Sequence, residues 1–397
     1  LILEMLMAGS VISKYWGVYL NDFMRLMGWN ANTNLTFGSF HIDIAPIIIV
    51  AFFTTLLVFG TKIGARVDGA MTVLKIAIVF FVVIVGFFYV KASNFTPFIP
   101  PSQPASTVEG SSAVTGVMTQ PLWRFATGMT PSVYGVPGIL SGAALVFFAF
   151  IGFDVVATAS EETKNPHKNV PLGIGVGMLL IIVMYMLVAV VTTGMVSYAD
   201  LAKQDSPSLA TAFELVGADW AAKIISFGIV LGLATVVMVL LLGLTRIVFA
   251  MSRDGLLPRG LSKTGKHGTP AALQIVVGAV VALVAAFFDI GVLSDMVNIG
   301  TLSAFTLVAI SIPIMRKKRP DLPRAFKMPG SPWIPILIAV ANFWLMLNLS
   351  VLTWIRFVVW LVVGFAIYFG YGYWHARLGK GDLTETLSAE TDKAVNG

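Results

Sequence analysis

Apolar residues in this chain come in runs of about twenty, and that feature leaves it few folds to choose from. A bilayer core takes roughly 20 residues of α-helix, and no backbone group can be left unsatisfied inside it, so such runs must become helices. They occupy 1–24, 44–60, 70–90, 138–160, 171–196, 220–250, 270–288, 292–314, 333–353 and 357–374. The reading is an all-α integral membrane protein with about ten transmembrane helices. Composition agrees: 57% of residues are hydrophobic and 12% charged, with a mean hydropathy of +0.87, outside the range of soluble domains.

Several chemistries are excluded early. With no cysteine, disulfides, thiolate catalysis and Cys-ligated zinc are absent. The four histidines (His41, His167, His267, His375) sit beside charged or turn-like stretches and form no His-Glu-x-x-His pattern, so neither a metal nor another cofactor is expected. A net charge of +6 follows from loop cations that set topology, not from nucleic-acid binding. The loop GLSKTGKH, Gly260 to His267, approaches a phosphate-binding pattern. It lacks the preceding strand and has His267 where a hydroxyl would hold magnesium, so it reads as a basic loop.

The loop cations orient the bundle. Lys62 and Arg66, Lys164 and Lys168, Arg253 to Lys266, Arg316 to Lys327, and Arg377 to Lys393 lie in alternate connections, against Arg25, Lys91, Arg124, Lys203 and Arg356 in the others. The richer set is cytoplasmic by the positive-inside rule, which puts the C-terminal tail, 375–397, inside the cell and the bundle 1–374 in the plasma membrane. The connection 91–136 is then external; its six prolines imply irregular structure with one short helix near 120–126. The first run begins without Met or a charged flank, which reads as a chain starting part-way through a helix.

Within the spans, FFAFIGFDVV (Phe147 to Val156) is the anomaly. Gly152 costs about 1 kcal/mol relative to alanine inside a helix, and aspartate prefers a cap to an interior. Two half-helices meeting near 150–154 would expose carbonyls from one half and N–H groups from the other, suited to an amino acid's ammonium and carboxylate. The competing reading is a straight helix with Asp154 bonded to a neighbour. Glu4 is an intramembrane carboxylate and therefore a functional candidate. Lys75, in GAMTVLKIAIVF, either snorkels from about one and a half turns above its helix end or is buried, with a pKa low enough to exchange a proton. Gly173, Gly175 and Gly177, with Gly228 and Gly232, read as close helix packing.

These residues carry a resemblance. FFAFIGFDVVATASEETKNPHKNVPLGI, LTRIVFAMSRDGLLP and IGTLSAF followed by RKKRPDLPRAFKMPG resemble the amino acid–polyamine–organocation superfamily, most closely its cationic amino acid transporter branch. The resemblance implies a LeuT-type inverted-repeat fold, with these ten spans as the third to twelfth helices of twelve and 138–160 as the discontinuous one. It implies that Phe150, Ile151, Gly152 and Phe153 form the break at the substrate. Glu4 would face a basic side chain, Lys75 would couple protons, and Glu161 and Glu162 would belong to a cytoplasmic gate. The expected function is secondary active transport of amino acids, a proton symport with a weak preference for cationic substrates. An amino acid or amine exchanger is the alternative, and a receptor or structural fragment the rival of another class. An intramembrane enzyme would need a second acid near Asp154, which the spans lack. Its partners are the amino acid, protons and the bilayer, with a small membrane-protein partner left unidentified.

Overall fold

Helix occupies each of the apolar runs in the computed structural model, which describes residues 1–29, 33–37, 40–59, 65–105, 116–130, 132–152, 165–204, 207–263, 269–320 and 330–376. The first three helices are α1 (Ile2–Leu26), α2 (Ile44–Val58) and α3 (Ala65–Phe87), with a hairpin of β1 (Asn34–Phe37) and β2 (Phe40–Asp43) between the first two. The loop after α3 holds β3 (Gln103–Pro104), the short α4 (Leu122–Thr127) and β4 (Ser132–Val133). Then come α5 (Gly135–Val146), α6 (Pro166–Met195), α7 (Tyr198–Ala202), α8 (Leu209–Leu215) and α9 (Asp219–Arg253). The last are α10 (Ala271–Phe287), α11 (Ile290–Lys318), α12 (Trp333–Leu347), α13 (Val351–Ile367) and α14 (Tyr373–His375).

Among the described residues, five helical stretches are long and apolar enough to cross a bilayer unaided: Gly69–Phe87, Lys168–Met195, Asp219–Arg253, Ile290–Lys318 and Val351–His375. Helix α1 is as long but carries Glu4, Lys14, Asp22 and Arg25. Those charges are accommodated by position. Lys14 is buried and pairs with Asp43, the N-cap residue of α2. At the far end of α1, Arg25 makes a two-pronged bond to Glu214 of α8, 2.8 Å on each side, and Asp22 accepts from Ser208.

Helix α1 is the hub. It packs on α9, α11, α10 and α2, while α3 lies against α9 and α6. Met5, Ala8 and Val11 of α1 share one buried cluster with Val50, Val237, Leu241, Val281 and Val297. A second cluster, around Val82, Val191, Phe213 and Ile225, joins α3, α6, α8 and α9. Lipid tails are as apolar as leucine, so close van der Waals fit holds such helices together. The fit is tight at Gly278 of α10, where a Cβ would collide with the side chain of Thr54.

Helix ends differ from expectation where capping decides. The last two spans meet at Asn348 to Ser350, not at 354–356, because the Ser350 hydroxyl accepts from the Thr353 N–H and starts α13 there. Arg356 is thus inside a helix and not in a loop. Helix α6 begins at Pro166, earlier than 171, and carries Pro171 in its interior. The expected short helix in the long loop is α4, closed by Gly128 at φ 69°.

Candidate functional site: the break in α5

The segment that looked anomalous in sequence is irregular in structure. Helix α5 ends at Val146, tightens to a 3-10 turn over Phe147–Phe150, and becomes extended at Ile151 (φ −70°, ψ 141°). Gly152 follows at φ 118°, a left-handed conformation that favours glycine. Helical geometry has therefore ended by Ile151; the other half of the expected break, including Phe153 and Asp154, lies outside the described residues.

Ending a helix at bilayer depth leaves carbonyls without N–H partners. The Ala149 carbonyl would accept from residue 153 in a continuous helix; here it accepts from the Tyr185 hydroxyl of α6 at 2.7 Å. The Leu145 carbonyl, which also accepts a backbone N–H at the end of α5, accepts from the Asn298 side-chain amide of α11 at 3.2 Å. Each link is doubled by an edge-on ring contact, Phe150 on Tyr185 at 5.3 Å and Phe147 on Phe305 at 6.0 Å between centroids. Asn298 is fully buried, and its side-chain oxygen has no hydrogen-bond partner among the described residues.

A cavity of about 300 Å³ opens beside the break, lined by Ala149 to Gly152 and, on α6, by Gly173, Ile174, Gly177, Met178, Ile181 and Tyr185. This changes the reading of three glycines. Among the described residues, a Cβ added at Gly173, Gly175 or Gly177 would meet nothing within 4 Å, and Gly173 and Gly177 line the cavity. Gly228 keeps its packing role, against Ile78.

Two of the sequence candidates, the turn of Glu4 and the break, border the same buried cluster. Glu4 is fully buried in the first turn of α1 and faces Gly300 of α11. Ile2 and Leu6, which flank it, pack in the same cluster as Phe148 and Ile151 of the break. Lys75 stands on another helix, with its aliphatic stem on α9, where a Cβ at Gly232 would come within 3.3 Å of its Cγ. Because α3 starts at Ala65, the lysine is ten residues into the helix, about 15 Å along its axis. Counted from the apolar span, which starts at Gly69, it is six residues in, in keeping with the sequence reading. Gly232, also read as a helix contact, makes room for a lysine. Glu161 and Glu162 lie outside the described residues.

Asn298 and Tyr185 were missed by sequence reasoning. A lone amide in the middle of an apolar span is a signal that could have singled out Asn298; a tyrosine amid IIVMYMLVA gives none. Among the described residues no group of three or more His, Cys, Asp or Glu is placed to hold a metal.

Comparison with known proteins now adds a lineage. Residues 6–372 match the model of a family described as amino acid permease. The chain is 39% identical over 388 residues to the branched-chain amino acid permease BcaP of Bacillus subtilis (strain 168), covering 96% of this chain and 76% of that protein. It is 36% identical over 386 residues to the methylthioribose transporter of the same organism, with the same two coverages. It is 34% identical over 281 residues to a vacuolar cationic amino acid transporter 4 of Arabidopsis thaliana, covering 70% of this chain and 42% of that protein.

Proposed function

The chain belongs to the amino acid permease family, a family of multi-pass membrane transporters and not of enzymes, and we propose that it is a proton-coupled amino acid symporter of the plasma membrane. One observation carries the reading: the backbone of α5 leaves helical geometry at Ile151 and Gly152, where it borders the same buried cluster as the turn that holds Glu4. Irregular backbone at this depth is tolerated where it lines a cavity, and it offers main-chain groups to a zwitterion. Phe150, Ile151, Gly152 and Phe153 bind the substrate, and Phe150 gates it. Lys75 exchanges the coupled proton from its place against Gly232, and Glu161 and Glu162 form part of the cytoplasmic gate. The cation-rich connections and the tail 375–397 face the cytoplasm, and the spans within 1–374 rock around the break to alternate access.

For the substrate, Glu4 supplies a buried carboxylate that favours a cationic side chain. A second reading, a neutral branched-chain substrate, draws on the apolar lining of the cavity beside the break and on the branched-chain permease among the relatives. Labelled amino acids offered to proteoliposomes with an acidic exterior test both. The symporter accumulates its substrate above the external concentration and loses accumulation when a protonophore collapses the gradient. Lys75→Ala should abolish the pH-driven component; retention of all of it would remove the lysine from coupling. Uptake seen only when substrate is preloaded inside would identify an exchanger instead.

A further inference from the structure

Two helices grip the end of α5 in the same way. From α6, Tyr185 donates to the Ala149 carbonyl and lays its ring edge-on to Phe150. From α11, Asn298 donates to the Leu145 carbonyl while Phe305 meets Phe147 edge-on. The gripped carbonyls are four residues apart, one helical turn; one precedes the 3-10 segment Phe147–Phe150 and the other lies within it.

We infer that Tyr185 and Asn298 are positioning residues of the transport site, two clasps that hold the break of α5 in its irregular form from opposite neighbours. A carbonyl left bare at this depth would favour whatever rearrangement finds it a donor, and the nearest one is continuation of the helix through residue 153. By occupying the Ala149 carbonyl, Tyr185 removes that incentive and leaves the groups at Phe150 and Ile151 for the substrate. Asn298 fixes the turn before it. Each acts through the backbone it holds, while the Tyr185 side chain also lines the cavity beside the break. The effect on substrate rests on the proposed transport function, whereas the clasping of α5 does not.

Two measurements separate those layers. Hydrogen exchange of the purified full chain, followed at the amides of residues 145–152, is compared between wild type, Tyr185→Phe and Asn298→Ala. Each variant should change exchange about tenfold in this segment, with the rest of α5 unaltered. Unchanged exchange overturns the clasps whatever the protein transports. In proteoliposomes, Tyr185→Phe keeps the ring contact and loses only the hydroxyl, so KM should rise about tenfold, 1.4 kcal/mol, with Vmax close to wild type. An equal fall in Vmax at constant KM would make the tyrosine merely structural. If wild type shows no amino acid uptake, the transport reading fails and the exchange result still decides the clasps.

Discussion

In the proposed function, substrate choice turns on Glu4. Its carboxylate is fully buried, beside Gly300, which has no side chain to crowd it. A hydrogen bond to a charged group is worth about 1.5–3 kcal/mol, so Glu4→Gln, which keeps shape and removes charge, should weaken lysine or arginine uptake roughly ten- to hundredfold. Leucine uptake should change little. Competition uptake with both substrates checks it; equal losses would take Glu4 out of selectivity and favour the neutral branched-chain reading. Glu4 stood out in the sequence because charge is rare in a span. Asn298 and Tyr185 did not, since their role follows from which carbonyls α5 leaves unsatisfied, and that depends on three helices far apart in sequence. The same limit applies to Gly173 and Gly177. A glycine that admits a neighbour and one that borders a void look alike until the neighbour is placed.

At the level of the element, the apolar runs read correctly as helices because length alone decides between a span and a core segment. Their ends were less legible, since they depend on single hydroxyls. Ser350 is the clearest case: it caps α13 by accepting from the Thr353 N–H and also contacts the Thr353 hydroxyl at 2.7 Å. That hydroxyl bonds Asp295 of α11 at 3.0 Å, so the cap also secures a half-buried carboxylate on the neighbouring helix. Ser350→Ala should lower stability by about 1 kcal/mol, seen as a lower melting temperature in detergent. An unaltered melt would mean that water replaces the hydroxyl. In α5 the sequence clue was chemical, a glycine and an aspartate amid phenylalanines. It pointed to the right place, and the structure gives the means: a 3-10 turn, an extended residue and a left-handed glycine in succession.

Across the whole molecule, the long loop between α3 and α5 is less free than its prolines imply. Its segment 118–124 is stitched to the turn between α12 and α13: the N–H of Leu122 donates to the Leu349 carbonyl, that of Val351 to Gln120, and that of Leu352 to Met118. Trp123 adds a bond to the Asn348 side chain at 3.1 Å and stacks on Trp344. Arg124, buried behind it, donates to the Thr130 carbonyl, and loss of water around its guanidinium pulls its pKa below the ordinary arginine value. The seam is built from backbone pairing, which a sequence pattern does not reveal, and it ties the lead-in to α5 to helices that follow α11.

For protein engineering, that seam divides one loop into a tolerant half and an intolerant half. Phe98 is 85% exposed, and the stretch around it has few fixed partners. An epitope tag inserted after Ile99 should leave expression and melting temperature close to wild type, because exposed backbone with few bonds accepts extra residues. The same tag after Gln120 should lower the melting temperature by separating the strand-like pairing to 349–352, and equal behaviour of the two insertions would show the seam to be dispensable. A fluorophore for following the cycle belongs on the first half, and a crosslink meant to arrest it belongs across the second.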